Sequence, residues 1–297
     1  MRAGRYGRQG RRTVVHGQDR YAPDSRGRPV KANTRRDNRL AFDTVAEAYD
    51  RARPTMPHGL IVSIVRITGM WNGDRVLEIG AATGQLTRPL RAAHLNVTAL
   101  EPGERLRALL ERNVAGDPGV TVRPGLFEDY DSSDDGPFSA VFSANAFHWI
   151  DPDVSYAKAA GMLRPDGHLV LLWNFPVVED PALRDALNTR AFADYPDFVR
   201  DERHQPRIEA LAAEGREELA ASGRFDFPWW QTRTETLRFT ADTYLQLLIS
   251  YANGAVLDDD ARQDLEQRVR AVLDDRGAET ITVTNHLYAL VARRADQ

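Results

Sequence analysis

Two glycines four residues apart, Gly80 and Gly84, follow the short apolar run Arg75–Ile79 and open a stretch of helical spacing. Some twenty residues later a second apolar run, Asn96–Leu100, ends in an acid, Glu101. Glycine after a strand lets backbone approach a ligand, and the amino end of the next helix offers unsatisfied N–H groups to an anion. An acid at the end of the second strand accepts both hydroxyls of a ribose, a geometry shared by nicotinamide and adenosyl cofactor sites. Together these residues point to a nucleoside. A dinucleotide fits poorly, because Gly80-Ala81-Ala82-Thr83-Gly84 lacks the G-x-G-x-x-G spacing that seats a pyrophosphate. No Gly-Lys-Ser/Thr exists for a Walker loop and no Gly-x-Ser-x-Gly for a hydrolase elbow. With no cysteine there is no disulfide, thiolate nucleophile or iron–sulfur cluster. The seven histidines show no metal-ligand spacing, so no metal site is expected.

The elements that must position these residues alternate. Buried strands are expected at Arg75–Ile79, Asn96–Leu100, Val120–Val122, Phe138–Ser143 and His168–Asn174, with helical spacing over Gly84–Ala93, Leu106–Val114 and Val154–Leu163. Earlier, Phe42, Val45, Ala46 and Tyr49 recur at helical spacing behind a capping box Thr44-x-x-Glu47, and a second amphipathic stretch spans Leu60–Val65. The final third reads as helices Pro181–Ala193, Arg207–Ala221, Ala241–Ala252 and Asp260–Asp275, with strands Trp229–Leu237 and Thr280–Ala292. Strands alternating with helices predict an α/β fold: a doubly wound, mostly parallel sheet with helices on both faces. Ligands of such sheets bind outside the carboxyl ends of the strands, where the helical insertions of the last third would cover a substrate.

Charge divides the 297 residues unevenly. Residues 1–40 carry twelve Lys+Arg against three Asp, while the rest carry twenty-seven basic against forty acidic, which makes up the formal −4. Residues 1–39 contain no Leu, Ile, Phe or Trp and are expected to be a disordered tail, either simply solvated or tracking a nucleic acid or an acidic partner. No apolar run approaches the ~20 residues of a membrane span, and the Arg-rich start has no secretory pattern, so a soluble cytoplasmic protein is expected.

Taken in order, several blocks resemble the class I S-adenosylmethionine-dependent methyltransferases, and within them the small-molecule group similar to trans-aconitate methyltransferases. The blocks are Phe42-Asp43-x-x-Ala46-x-x-Tyr49-Asp50-x-x-Arg53-Pro54, the glycine loop after Glu78, Glu101, Gly125-x-Phe127-Glu128-Asp129, Ser143–Pro152 and Leu163-Arg164-Pro165-x-Gly167. Two positions depart from the pattern: Ala82 stands where a middle glycine is usual, and Met56 where an aromatic commonly precedes Pro57. The resemblance implies a seven-stranded Rossmann-like sheet over residues 40–297. Its parts would be lid helices (40–71), a cofactor core (72–175), substrate-covering insertions (176–280) and a last strand (281–293).

It also implies S-adenosyl-L-methionine as cofactor and a role for each matched residue. Glu78, Gly80, Ala81 and Gly84 would hold the methionine end, Glu101 the ribose, and Phe127 and Glu128 the adenine. Asn145 would lie near the sulfonium, Tyr49 would pack over the cofactor, and Arg53 would clamp a carboxylate. His148, just past the fourth strand, is the candidate general base, since an imidazole near pKa 6.5 suits proton abstraction from a phenol or alcohol. Trp149, Trp173, Tyr244 and Tyr251 would line an aromatic acceptor cavity. Plainer roles stand beside these: Glu78 as a cap or ion pair, Phe127, Tyr49 and the other aromatics as core, Arg53 as a surface residue, His148 as a structural partner of Trp149.

The function expected is methyl transfer to a small molecule, oxygen favoured, in specialised metabolism. Three alternatives remain open: transfer to carbon or nitrogen of a lipophilic small molecule, a nucleic-acid methyltransferase steered by the basic tail, and a non-catalytic scaffold. The acidic folded part and the absence of an Asn/Asp-Pro-Pro-aromatic motif disfavour the nucleic acid. A homo-oligomer is compatible with the sequence.

Overall fold

Apolar residues dominate the central strands, as expected when both faces of a parallel sheet are covered. The computed structural model describes residues 40–133, 135–199 and 205–296, all within one unit, Arg35–Gln297. The expected tail, residues 1–39, lies outside the described residues, as do His16 and His204 of the histidine set. The first half runs α1 (Ala46–Ala52), α2 (His58–Thr68), β1 (Arg75–Ile79), α3 (Thr87–Ala92), β2 (Asn96–Glu101), α4 (Glu104–Asn113), β3 (Val120–Pro124), β4 (Phe138–Ala144) and α5 (Pro152–Met162). The second runs β5 (Leu163–Val178), α6 (Pro181–Ala186), α7 (Gln205–Ser222), β6 (Phe225–Thr240), α8 (Ala241–Ile249), α9 (Ala252–Ala255), α10 (Asp259–Asp275) and β7 (Thr280–Arg294).

The seven strands form one sheet in the order β3-β2-β1-β4-β5-β7-β6. The first five pair in parallel; β7 runs antiparallel to both β5 and β6. From β1 the chain winds outward through β2 and β3, then returns to β4 on the other side of β1. That reversal makes the carboxyl ends of β1 and β4 the switch point, where an open α/β sheet leaves a crevice.

Strand alternation decides which face each residue serves. Val76, Phe142, Val170 and Leu172 face a core with Leu60, Ile61 and Ile64 of α2 and Leu90, while Leu77, Val141, Leu169 and Leu171 face one with Tyr156 and Ala159 of α5. A third core, with Leu183, Leu187, Tyr244, Leu248, Leu265 and Val269, gathers the helices of the final third against Val178, Ile281 and Val283.

Three local expectations are corrected. Thr44 caps nothing with Glu47: a 3-10 turn at Phe42–Val45 delays the helix, Thr44 Oγ1 donates to the Ala41 carbonyl (2.7 Å), and Glu47 pairs with Arg105 at 2.8 Å. The helix at Pro181 stops at Ala186 and continues as a π turn, Leu187–Ala191. The range 176–280, read as insertions, includes the whole of β6, which is an edge strand of the sheet.

Candidate functional site

Past the end of β1 the backbone turns sharply, and only some side chains fit. Gly80 has φ +70°, and a Cβ there would lie 2.5 Å from the Ala146 Cβ. The N–H groups of Gly80 and Ala81 both donate to the Leu100 carbonyl, at 2.9 and 3.1 Å, tying the loop to the end of β2. Ala82 follows in a left-handed conformation (φ +49°), and its N–H donates to Glu101 Oε2 at 2.8 Å. Glu101 Oε1 accepts from the Gly103 N–H at 2.9 Å. Thus a buried carboxylate staples the glycine loop to the turn after β2, with lone pairs on both oxygens still available.

Two adjoining cavities open at this switch point. The larger, about 730 Å³ and open to solvent, runs from Gly80 and Ala82 past Glu101 to Gly125–Phe127 and Trp149. The smaller, about 330 Å³, reaches Met56, Glu78, Gln85 and Asn174. Tyr49, Arg53, Gly80, Ala82, Ala144 and Asn145 line both.

Charge on these walls is sparse. Arg53 is the one basic side chain lining either cavity among the described residues. Burial pushes Glu78 up to about 8, although Thr87 Oγ1 donates to it at 2.6 Å. Burial pushes Glu101 up to about 7 against the two backbone N–H groups that favour its ionised form. For a carboxyl raised in the folded state, the stabilising contribution is full below the unfolded value of 4.5 and lost as pH rises through the folded one. The ligand-free chain should therefore lose stability between about pH 5 and pH 8, and Glu78→Gln should remove part of that fall, on the order of 1–3 kcal/mol. Melting curves across this range check it; a variant with the wild-type slope would contradict it.

The remaining polar groups are amides. Asn145, at φ +53°, donates from Nδ2 to Asn174 Oδ1, and its Oδ1 accepts from the Asn174 N–H at 3.1 Å. This reciprocal pair locks the ends of β4 and β5 together. Gln85 Nε2 donates to Thr83 Oγ1 at 2.7 Å, while its buried Oε1 has no hydrogen-bond partner.

The structure brings most of the expected residues to these walls and leaves others away. Tyr49, Arg53, Glu78, Gly80, Ala81, Glu101, Phe127 and Asn145 line one or both cavities. Trp149 lines the larger one, 6.1 Å from the Phe42 ring, and so belongs with Glu101 and Phe127 rather than with a separate acceptor pocket. Gly84 (φ +100°) lines neither; it forms the turn into α3, close to Leu110. Glu128 also lines neither, and its carbonyl accepts from Lys158 Nζ at 2.8 Å.

His148 is off both walls. The 3-10 turn Phe147–Trp149 sends Phe147 into the core, 5.1 Å from Tyr156, and sets the His148 ring 5.0 Å from that of Trp149. Trp173 and Tyr244 are core residues, beside Tyr288 (5.8 Å) and Phe239 (6.5 Å) respectively. Tyr251 reaches the site indirectly, with its ring 4.3 Å from the Arg53 guanidinium carbon. Ala82, Gln85, Asn174 and Phe42 are wall residues that the sequence reading did not place on the ligand; Ala82 and Phe42 stand in the matched blocks, Asn174 is a polar residue closing the apolar run Leu169–Trp173, and Gln85 left no signal. Among the described residues no group of three or more His, Asp or Glu is arranged to hold a metal, and no helix is long and apolar enough to cross a membrane.

Residues 77–171, from β1 into β5, match the family model described as "Methyltransferase domain". An uncharacterized methyltransferase of Mycobacterium tuberculosis is 36% identical over 141 residues, 48% of this chain and 55% of the relative. A demethylmenaquinone methyltransferase of Clavibacter sepedonicus is 25% identical over 163 residues, 54% of this chain and 66% of the relative. The chain thus spans about half the length of the first of these curated relatives. In fold it resembles a protein of Anaeromyxobacter dehalogenans assigned as a type II methyltransferase: TM-score 0.56, 20% identity, covering 81% of this chain and 97% of that one. Residues 77–171 are therefore similar to a methyltransferase domain, and they lie on a seven-stranded, mostly parallel α/β sheet of the kind that the Anaeromyxobacter protein shares.

Proposed function

We propose that the chain transfers a methyl group from S-adenosyl-L-methionine to a small molecule, most readily to an oxygen, as the resemblance to trans-aconitate methyltransferases implies. The observation that carries this reading is the larger cavity, where a conformationally restricted Gly80, a buried carboxyl on Glu101 and the apolar walls of Phe127 and Trp149 meet at the switch point. The residues fit an amino-acid-bearing nucleoside. Glu101 has lone pairs for two ribose hydroxyls, and Phe127 and Trp149 offer apolar surface to a base. Arg53 would meet the carboxylate and the unpartnered Oε1 of Gln85 the ammonium of the methionine end. Ala82, in place of the usual glycine, leaves the cavity open and serves through its N–H.

When bound, this cofactor supplies a methyl group already activated by a sulfonium charge. The protein's share is position: near-attack alignment of acceptor and methyl carbon is worth roughly 7–11 kcal/mol. The Asn145–Asn174 pair holds the rim of β4 and β5 rigid for that purpose. No histidine lines these walls among the described residues, which favours an acceptor that needs no general base, such as an acidic phenol or enol already ionised in solution, with the cofactor's sulfonium as the cation facing it. A nucleic-acid substrate has no support among the described residues, and the tail invoked for it lies outside them.

His148→Ala should accordingly leave single-turnover methyl transfer within about threefold of wild type, whereas loss of a general base would cost roughly 10²–10⁴. Incubating the full chain with S-adenosylmethionine and a panel of phenols, enols and carboxylic acids tests the function itself. Formation of S-adenosylhomocysteine with an oxygen acceptor supports it; transfer only to amines or RNA would refute the acceptor assignment.

A further inference from the structure

Arg53, the lone basic residue on the cavity walls among the described residues, does not hold its position by itself. It sits at the end of α1, where Pro54 follows and the helix has stopped. Its guanidinium is gripped by a segment 197 residues away: Nε–H donates to Ser250 Oγ at 2.9 Å, and Nη2 donates to the Ser250 carbonyl at 2.8 Å. Those two N–H groups lie along one edge of the planar fork. The other edge, Nη1 with Nη2, is left for a bidentate carboxylate. Tyr251 and Tyr49 frame the same group, with ring centroids 4.3 and 5.0 Å from its central carbon. Ser250 is fully buried at the end of α8, and its hydroxyl proton is committed to the Leu247 carbonyl at 2.7 Å, which leaves Oγ an acceptor toward Arg53.

We infer that Ser250 is a positioning residue for cofactor binding, holding Arg53 so that its outer edge meets the carboxylate of the methionine end. The helical segment 241–255 then serves the cofactor site through Ser250 and Tyr251. The inference rests on the proposed cofactor and adds a named residue to its binding.

The test compares two ligands on the full chain. S-adenosylhomocysteine carries the amino-acid end; methylthioadenosine keeps the nucleoside and thioether without it. Ser250→Ala should weaken S-adenosylhomocysteine about tenfold, as expected for losing a hydrogen bond to a charged group, and leave methylthioadenosine unchanged. Arg53→Ala should give a larger loss with the same selectivity, and the double variant no more than Arg53→Ala alone. A packing role for Ser250 would lower the melting temperature yet keep the affinity ratio of the two ligands, and that result overturns the inference. If Ser250→Ala does not fold, Tyr251→Leu, which retains both Ser250 acceptors, should show a smaller loss confined to S-adenosylhomocysteine; an equal loss for both ligands overturns it. A wild type that binds neither ligand removes the cofactor reading itself, an outcome distinct from a wild type that binds both while Ser250→Ala keeps the ratio.

Discussion

Glu101→Ala should weaken S-adenosylhomocysteine binding a hundredfold or more, because one side chain does two jobs. Its carboxylate would accept the two ribose hydroxyls, and hydrogen bonds to charged groups contribute about 1.5–3 kcal/mol each. It also accepts from the N–H groups of Ala82 and Gly103, so its loss leaves the glycine loop and the turn before α4 without their shared anchor. The accepting form is the ionised one, and burial holds that ionisation near 7. Affinity in the wild type should therefore rise as pH increases through about 7 and fall below it, until bound ligand itself favours the carboxylate. Glu101→Gln keeps the shape and removes the titration, so its affinity should be low and flat with pH. A folded Glu101→Ala protein that binds within threefold of wild type would show that the ribose is held elsewhere.

Gly80→Ala should damage stability and turnover together. The backbone at φ +70° already penalises a side chain by roughly 1–2 kcal/mol, and the added Cβ would stand 2.5 Å from the Ala146 Cβ. Relief requires moving the segment after β4, which carries Asn145 and Ala146 on the cavity wall. A shift of an ångström there misplaces the reacting partners, for which a loss on the order of 10² in turnover is expected beside about 2–4 kcal/mol of stability. Gly84→Ala makes the contrast. At φ +100° it is strained too, but the nearest atom is the flexible Leu110 Cδ1 at 3.1 Å and no cavity adjoins it. That variant should melt earlier and still bind the cofactor with wild-type affinity. Equal affinity for Gly80→Ala would contradict the account of the loop.

What the sequence made legible follows from burial. β1 and β4 are covered on both faces, so their apolar runs announce themselves, and the expected bounds at Arg75–Ile79 and Phe138–Ser143 differ from the structure by one residue at most. The glycine loop and Glu101 were legible because backbone approach and an acid at a strand end leave a spacing in the chain. The place of His148 was not, since residue type does not tell which way a short turn faces: Phe147–Trp149 places only Trp149 on the cavity wall. Trp173 and Tyr244 lie in core packing, a use of aromatic side chains that periodicity cannot separate from ligand contact. Thr44 failed as a cap because a 3-10 turn changed the helix register. Asn174, Gln85 and Ser250 act through partners set by tertiary structure, and none carries a local pattern that a single sequence exposes.

The cavity at the ends of β1 and β4 is the proposed seat of the adenosyl cofactor. Calorimetric titration of the full chain with S-adenosylhomocysteine tests it most directly. One site of micromolar affinity, lost in Glu101→Ala, is the predicted result. No heat of binding from a folded wild-type protein would contradict the claim and return the domain to the scaffold reading.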